Sequence, residues 1–148
     1  ILDHPDLVAG KRVVDFASGS GLVAIAARLA GATSVLAVDI DPWTSAAIGI
    51  NSRLNNADLE ISDADIIGTL VQADVLLAGD VFYDKAFADR LVPWLADLAR
   101  SGMTVIVGDP GRAYCPRDRM QVLATYQVPV TRALEDAEVK KTTVWRFE

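Results

Sequence analysis

The run Asp15-Phe16-Ala17-Ser18-Gly19-Ser20-Gly21 is the first stretch in which residue types and spacing could do chemistry. Small residues at alternate positions let the backbone turn tightly and lie close against a ligand. An apolar, helix-forming stretch follows at once, and the first N–H groups of a helix have no partner within it. Asp39 lies about 20 residues beyond the glycines, the spacing at which an acid accepts the hydroxyls of a ribose. A turn whose glycines merely satisfy backbone geometry would look the same by itself. Loop and acid together in one strand–helix–strand unit favour a nucleoside-bearing ligand. Gly19-Ser20-Gly21-Leu22-Val23-Ala24 also fits the dinucleotide spacing G-x-G-x-x-A, so a nicotinamide dinucleotide remains open.

A second group of polar and aromatic residues follows two later apolar runs. Asp80, Phe82 and Tyr83 come just after Asp74 to Gly79, and Asp109-Pro110-Gly111-Arg112 just after Met103 to Val107. In an open α/β sheet, ligands collect beyond the carboxyl ends of the strands, which makes these residues candidates for a substrate site. The competing reading has Phe82 and Tyr83 capping the core, and Arg112 pairing with Asp109 or Asp118 to stiffen a turn. Ile40 and Trp43 flank Asp39; Ile40 suits an adenine face, whereas Trp43 on a helix reads as core. Asp63, after a weak third strand, reads by itself as a solvated loop acid like Asp65. Cys115 has no His or Cys neighbour, and His4 is the sole histidine. Thiol, metal and Ser–His chemistry are therefore not expected.

The elements that must position these groups follow from hydrophobic period. Short apolar runs alternate with amphipathic stretches, the pattern of a parallel sheet covered by helices. Strands are expected at 11–16, 34–38, 59–61, 74–79 and 103–107. Helices are expected at 22–30, closed by Gly31, at 42–55, opened by Pro42, and at 86–100, with Trp94, Leu95 and Leu98 facing inward. Ile1 to Asp6 reads as a helix end, 65–71 as a short helix or loop, and 108–119 as a loop. Two strand-like runs, 121–130 and 139–147, end the chain without a helix between them, which predicts an antiparallel edge. The expectation is a single doubly wound, Rossmann-like α/β domain over 1–148 with seven strands, mostly parallel.

Composition bounds the remaining possibilities. The 148 residues are 51% hydrophobic, with a net charge of −6 and scattered Lys and Arg. Disorder is excluded, a basic stripe for phosphates is missing, and no apolar run reaches the roughly 18 residues of a membrane span. One cysteine fits a reducing, cytoplasmic setting. Three features favour S-adenosylmethionine over a dinucleotide: Asp15 stands on the strand side of the loop, suited to a cationic amino group; no second domain is visible for a hydride acceptor; and the two final strands suit a methyltransferase sheet.

Asp15-x-Ala17-x-Gly19-x-Gly21 with Asp39 resembles the two cofactor motifs of class I S-adenosylmethionine-dependent methyltransferases. Ala78-Gly79-Asp80-Val81-Phe82-Tyr83-Asp84, Gly108-Asp109-Pro110-Gly111-Arg112 and Thr142-Thr143-Val144-Trp145 resemble the lysine methyltransferases of the electron-transfer flavoprotein β-subunit, near relatives of the ribosomal-protein lysine methyltransferases. The resemblance covers nearly the whole chain and implies a segment upstream of Ile1 that helps close the cofactor site. It implies S-adenosylmethionine as donor, S-adenosylhomocysteine as product, and as acceptor a lysine of the electron-transfer flavoprotein β-subunit or of a ribosomal protein; a small-molecule methyltransferase and a non-catalytic nucleotide-binding or interaction domain remain the alternatives. Asp15, Ala17, Gly19, Gly21, Asp39, Ile40, Asp63 and Asp80 would face the cofactor. Asp80, Tyr83 and Asp109 would serve the amine, Phe82 and Tyr83 would sheathe its stem, and Arg112 would read an acidic protein surface. No metal, nucleic-acid or membrane partner is implied. Ala17 stands where the family has glycine, and is expected to keep φ below zero or shift the loop slightly.

Overall fold

The computed structural model describes residues 1–129 and 139–148. Seven strands form one sheet: β1 (Arg12–Phe16), β2 (Ser34–Val38), β3 (Glu60–Ser62), β4 (Val75–Gly79), β5 (Thr104–Asp109), β6 (Met120–Pro129) and β7 (Val139–Phe147). Three helices accompany them: α1 (Leu22–Leu29), α2 (Pro42–Leu54) and α3 (Lys85–Arg100). The spatial order is β3-β2-β1-β4-β5-β7-β6, parallel from β3 to β5, with β7 antiparallel to both β5 and β6. The chain therefore reverses direction across the sheet between β1 and β4, and the tips of β1, β2, β4 and β5 share one rim. Ile1 to Asp6, expected as a helix end, leads into a 3₁₀ turn at Pro5–Leu7, and 65–71 is a loop.

Side-chain alternation sorts the central strands into two cores. Val13, Val35, Val75 and Leu77 pack with Ala24 and Ala27 of α1 and Ile48 of α2. Val14, Phe16, Leu76, Ala78, Val105 and Val107 face the opposite way, with Leu91, Trp94, Leu95 and Leu98 of α3. A strand buried on both faces must be apolar throughout, which is why β1 and β4 read as continuous hydrophobic runs. Asp15 is the exception in β1. By the same alternation it falls on the α1 face, directly below the glycine loop.

Caps place the helices against this sheet. Asp41 accepts from Trp43 N–H at 2.9 Å to open α2, and Asp84 accepts from Phe87 N–H at 2.8 Å to open α3. Each such cap contributes about 1 kcal/mol. Beyond its last pair with β5 (Asp109 with Thr143), β7 stays paired with β6 from Thr142–Tyr126 to Val139–Pro129. A two-stranded ribbon thus rises above the rim, carrying Lys140 and Lys141.

Candidate active site

The glycine loop is tied down on every side. Ser18 N–H donates to Val38 O at 3.0 Å, Gly19 N–H donates to Asp39 Oδ2 at 2.8 Å, and Asn51 donates to Ser20 O at 2.8 Å. Loop, β2 tip and α2 are therefore fastened to one another. Ala17 does not keep φ below zero: it sits at φ +54°, in the left-handed region, as do Gly19 (+55°) and Gly21 (+82°). A residue with a Cβ pays about 1–2 kcal/mol there. Ala17 thus holds a conformation that glycine adopts more readily.

Asp15 is turned inward rather than towards an outside amine. It is 2% exposed, and its Oδ2 accepts from Ser18 Oγ at 2.6 Å and from Ala24 N–H at 2.9 Å. Burial pushes its carboxyl up to about 6, against the lowering effect of those two hydrogen bonds. One of the open N–H groups expected at the start of α1 is therefore used internally, and Asp15 acts as the peg on which loop and helix are hung.

A cavity of about 330 Å³ opens between the tips of β1, β2 and β4, lined by Phe16, Ala17, Val38, Asp39 and Ile40 on one side and Tyr83 and Phe87 on the other. Asp39 spends one lone pair of each oxygen on the backbone, Oδ2 on Gly19 and Oδ1 on Asp41. An ionised carboxylate has further acceptor capacity, so its half-exposed edge can still take hydroxyls. Ile40 is exposed beside it. Tyr83, 64% exposed, stacks on Phe87 at a centroid distance of 6.4 Å, and Phe87 in turn stacks on Phe16 at 6.4 Å. An acid at one end and flat apolar walls match a nucleoside in size and chemistry.

Other sequence expectations fare differently. Asp63 is exposed and does not line the cavity; Asp65 does, and pairs with Arg90 at 2.9 Å. Trp43, read as core, is 83% exposed. Phe82, expected in the sleeve around a substrate stem, is fully buried in the core on the α3 side of the sheet. The tight turn between β4 and the Asp84 cap sends Val81 and Phe82 inward and leaves Tyr83 alone at the rim. Phe16, Val38, Phe87 and the Asp65–Arg90 pair went unnoticed in the sequence, although Phe87 follows Tyr83 at helical spacing, four residues on.

At the neighbouring tips, Asp80 also has positive φ (+54°), and its N–H donates to Gly108 O at 2.8 Å. Its two oxygens take the Arg112 side chain as a fork: Nε to Oδ1 at 2.6 Å and Nη2 to Oδ2 at 2.7 Å. That guanidinium, with a smaller contribution from Lys140 on the ribbon, holds the Asp80 carboxyl below the usual range. Asp109 is 2% exposed, and its Oδ1 accepts from Gly111 N–H and Arg112 N–H at 2.8 and 2.9 Å. It thus shapes the Arg112 loop from within instead of facing an amine. Its Oδ2 has no hydrogen-bond partner among the described residues. The Cys115 thiol beside it is pushed up to about 12 by burial and then by the Asp109 charge, which leaves it inert as a nucleophile.

Sheet order, glycine loop and rim cavity together define the class I methyltransferase fold. The structure superposes on Thermoplasma acidophilum protein 1320 with a TM-score of 0.75 at 19% identity, covering 99% of this chain and 83% of that one. It superposes on a Synechocystis magnesium protoporphyrin IX methyltransferase with bound SAM with a TM-score of 0.70 at 13% identity, covering 99% and 74%. The family model for ribosomal protein L11 methyltransferase (PrmA) matches residues 2–106, and the chain belongs to that family. Among curated relatives, the electron transfer flavoprotein beta subunit lysine methyltransferase of Danio rerio is 40% identical over 99% of this chain, and that of Homo sapiens 36% over 100%. A ribosomal protein L11 methyltransferase of Actinobacillus succinogenes is 38% identical over 69% of the chain. The chain spans about three fifths of the length of the flavoprotein-modifying relatives, 60% for the Danio rerio protein.

Proposed function

We propose that this chain is the core of an S-adenosylmethionine-dependent protein-lysine N-methyltransferase acting on the electron-transfer flavoprotein β-subunit or a protein like it. The observation that carries this reading is that Asp39 and Tyr83 line one cavity, with Asp80 at the tip of β4, three residues before Tyr83. Asp39 and Ile40 would hold the ribose and adenine. Gly19 and Gly21 would let the cofactor's amino-acid end lie against the loop, and Asp15 would keep that loop in shape. S-adenosylmethionine, when bound, supplies a methyl group on a sulfonium centre that a neutral amine can displace.

What remains for the chain is alignment, worth several orders of magnitude in rate. Tyr83 offers a ring face to the lysine stem and to the product ammonium. Asp80 can accept a hydrogen bond from the amine and orient it. Because Arg112 holds Asp80 ionised, its part is orientation, and the lysine proton leaves for solvent. No helix among the described residues is long and apolar enough to cross a membrane. A single half-buried cysteine and an acidic surface suit a protein partner in a reducing compartment such as the cytoplasm, not a nucleic acid.

The test is to incubate the full-length protein with methyl-labelled S-adenosylmethionine and, separately, electron-transfer flavoprotein β-subunit, ribosomal protein L11 and free lysine. Label on lysines of the flavoprotein subunit is the expected result. Label on the ribosomal protein instead would shift the substrate. Cofactor binding without transfer to any acceptor would reduce the domain to a non-catalytic binding module.

A further inference from the structure

Asp80 and Arg112 form a closed fork in which both carboxylate oxygens are engaged. The backbone at each end is fixed. Asp80 is held by its N–H to Gly108 O, and Arg112 by its N–H to Asp109 Oδ1, next to Gly111 at φ +100°. Swinging the arginine side chain away therefore requires no movement of either strand tip. The pair is also accessible, with side chains 39% and 45% exposed. Both partners reach water, so another cation can approach Asp80 and compete with the guanidinium, although the bidentate geometry makes this fork stronger than an ordinary surface pair.

On the lysine-methyltransferase reading above, we propose that Arg112 occupies the seat of the substrate's ammonium group, and that the incoming lysine displaces it from Asp80. The fork fills the edge between the two oxygens of Asp80 and leaves only their outer lone pairs, so an amine that takes that edge must move the guanidinium aside. A guanidinium keeps its proton in proteins and has no neutral amine to offer, so Arg112 fills the seat without acting as a nucleophile. An uncharged side chain of the same length has nothing with which to replace it. The exchange thus selects a cationic chain end over a neutral one before any chemistry begins. Once displaced, Arg112 remains tethered through Asp109 and can retake Asp80 when product leaves. It is a positioning residue for specificity, acting through Asp80.

The test uses the full-length protein saturated with S-adenosylhomocysteine and n-butylammonium as probe for the lysine side chain, with 1-butanol as its neutral counterpart. The Arg112 Nε–H resonance in nitrogen-15 NMR should move as n-butylammonium is added and stay put with 1-butanol. Arg112→Gln should bind n-butylammonium about three- to fivefold more tightly than wild type, the factor expected from removing a partly exposed competitor. Arg112→Lys, which keeps the charge without the fork, should fall between and remains informative if the glutamine variant folds poorly. Equal affinity across the three proteins, weaker binding in Arg112→Gln, or no binding to any of them overturns the proposal. So does an Arg112 resonance indifferent to saturating probe. Methylation of the flavoprotein subunit by wild type is read separately. If transfer proceeds while the probe ignores Arg112, the exchange fails and the activity stands; if no lysine is methylated, the activity itself fails.

Discussion

Gly19 and Gly21 belong to one sequence motif but should fail differently when changed to alanine. Both have positive φ, so each substitution meets left-handed strain of about 1–2 kcal/mol, partly offset by roughly 0.4–1 kcal/mol from a stiffer unfolded chain. Their surroundings separate them. A Cβ on Gly21 would lie 3.1 Å from Ile48 Cγ2 and 3.2 Å from its Cγ1, and Ile48 is fully buried between α2 and the sheet. Overpacking of that kind adds about 1–3 kcal/mol. Gly21→Ala should therefore lose roughly 2–4 kcal/mol, a fall in Tm on the order of 5–15 °C. A Cβ on Gly19 meets nothing within 4 Å, so Gly19→Ala should lose only about 1 kcal/mol. That open space is where the loop would receive the cofactor, and affinity for S-adenosylhomocysteine should drop about tenfold or more, equivalent to roughly 1.4 kcal/mol. Urea denaturation and titration calorimetry read the two quantities. Adding Ile48→Ala to Gly21→Ala should recover part of the overpacking cost, giving a coupling of about 1 kcal/mol or more, whereas the strain remains. Strict additivity in that cycle, or wild-type cofactor affinity in Gly19→Ala, would refute the division of labour.

Three further outcomes follow from the geometry. Asp80→Asn keeps a residue type that tolerates positive φ but loses the charge; turnover should fall roughly ten- to a hundredfold while Tm moves only a few degrees, and an unfolded or fully active variant would contradict the role given to Asp80. Asp39→Ala should abolish the preference for adenosine over 2′,3′-dideoxyadenosine as a competitor of cofactor binding, which a competition assay on both proteins can settle. For Asp15, the folded-state carboxyl at about 6 lies above its unfolded value near 3.9, so protonation favours the folded form. Relative to Asp15→Asn, wild type should be most stable below about pH 4 and should lose ~3 kcal/mol as pH rises through 6, then level off; urea unfolding of both proteins from pH 4 to 8 tests this, and a pH-independent difference would argue against it.

Much of this architecture could be read along the chain because burial on both sheet faces writes itself as an apolar run in β4 and, broken only by Asp15, in β1, and because Gly31 and Pro42 mark the end of one helix and the start of the next. The change from helical crossovers to two bare strands after residue 119 likewise gave away the antiparallel edge. Reading failed where conformation depends on partners distant in sequence. Arg112 was weighed against Asp109 and Asp118, neighbours in the chain, yet its fork closes on Asp80, 32 residues away. Phe82 and Tyr83 are adjacent and both aromatic; which one turns inward is decided by a tight turn that has no period. Ala17 takes a glycine's conformation because the strands and α1 fix the loop around it, and residue type alone does not reveal that. Trp43 points outward because it sits in the first turn of α2, before the helix meets the sheet.

The place of β7 between β5 and β6 has a consequence for synthesis. Every strand from β2 to β5 has a partner already made when it emerges, but β6 has no described neighbour except β7. As the polypeptide emerges, β5 keeps a bare edge until the residues of β7 that pair with it, Thr143 to Arg146, have been added. At roughly 5–20 residues per second that wait lasts about 2–7 s. During it, an apolar strand with unpaired N–H and C=O groups is open to any other extended chain. Covering the outer edge of β5 is thus left to the last-translated of the seven described strands. An arrest or frameshift between β6 and β7 would release a polypeptide carrying the whole glycine loop but prone to stick edge to edge.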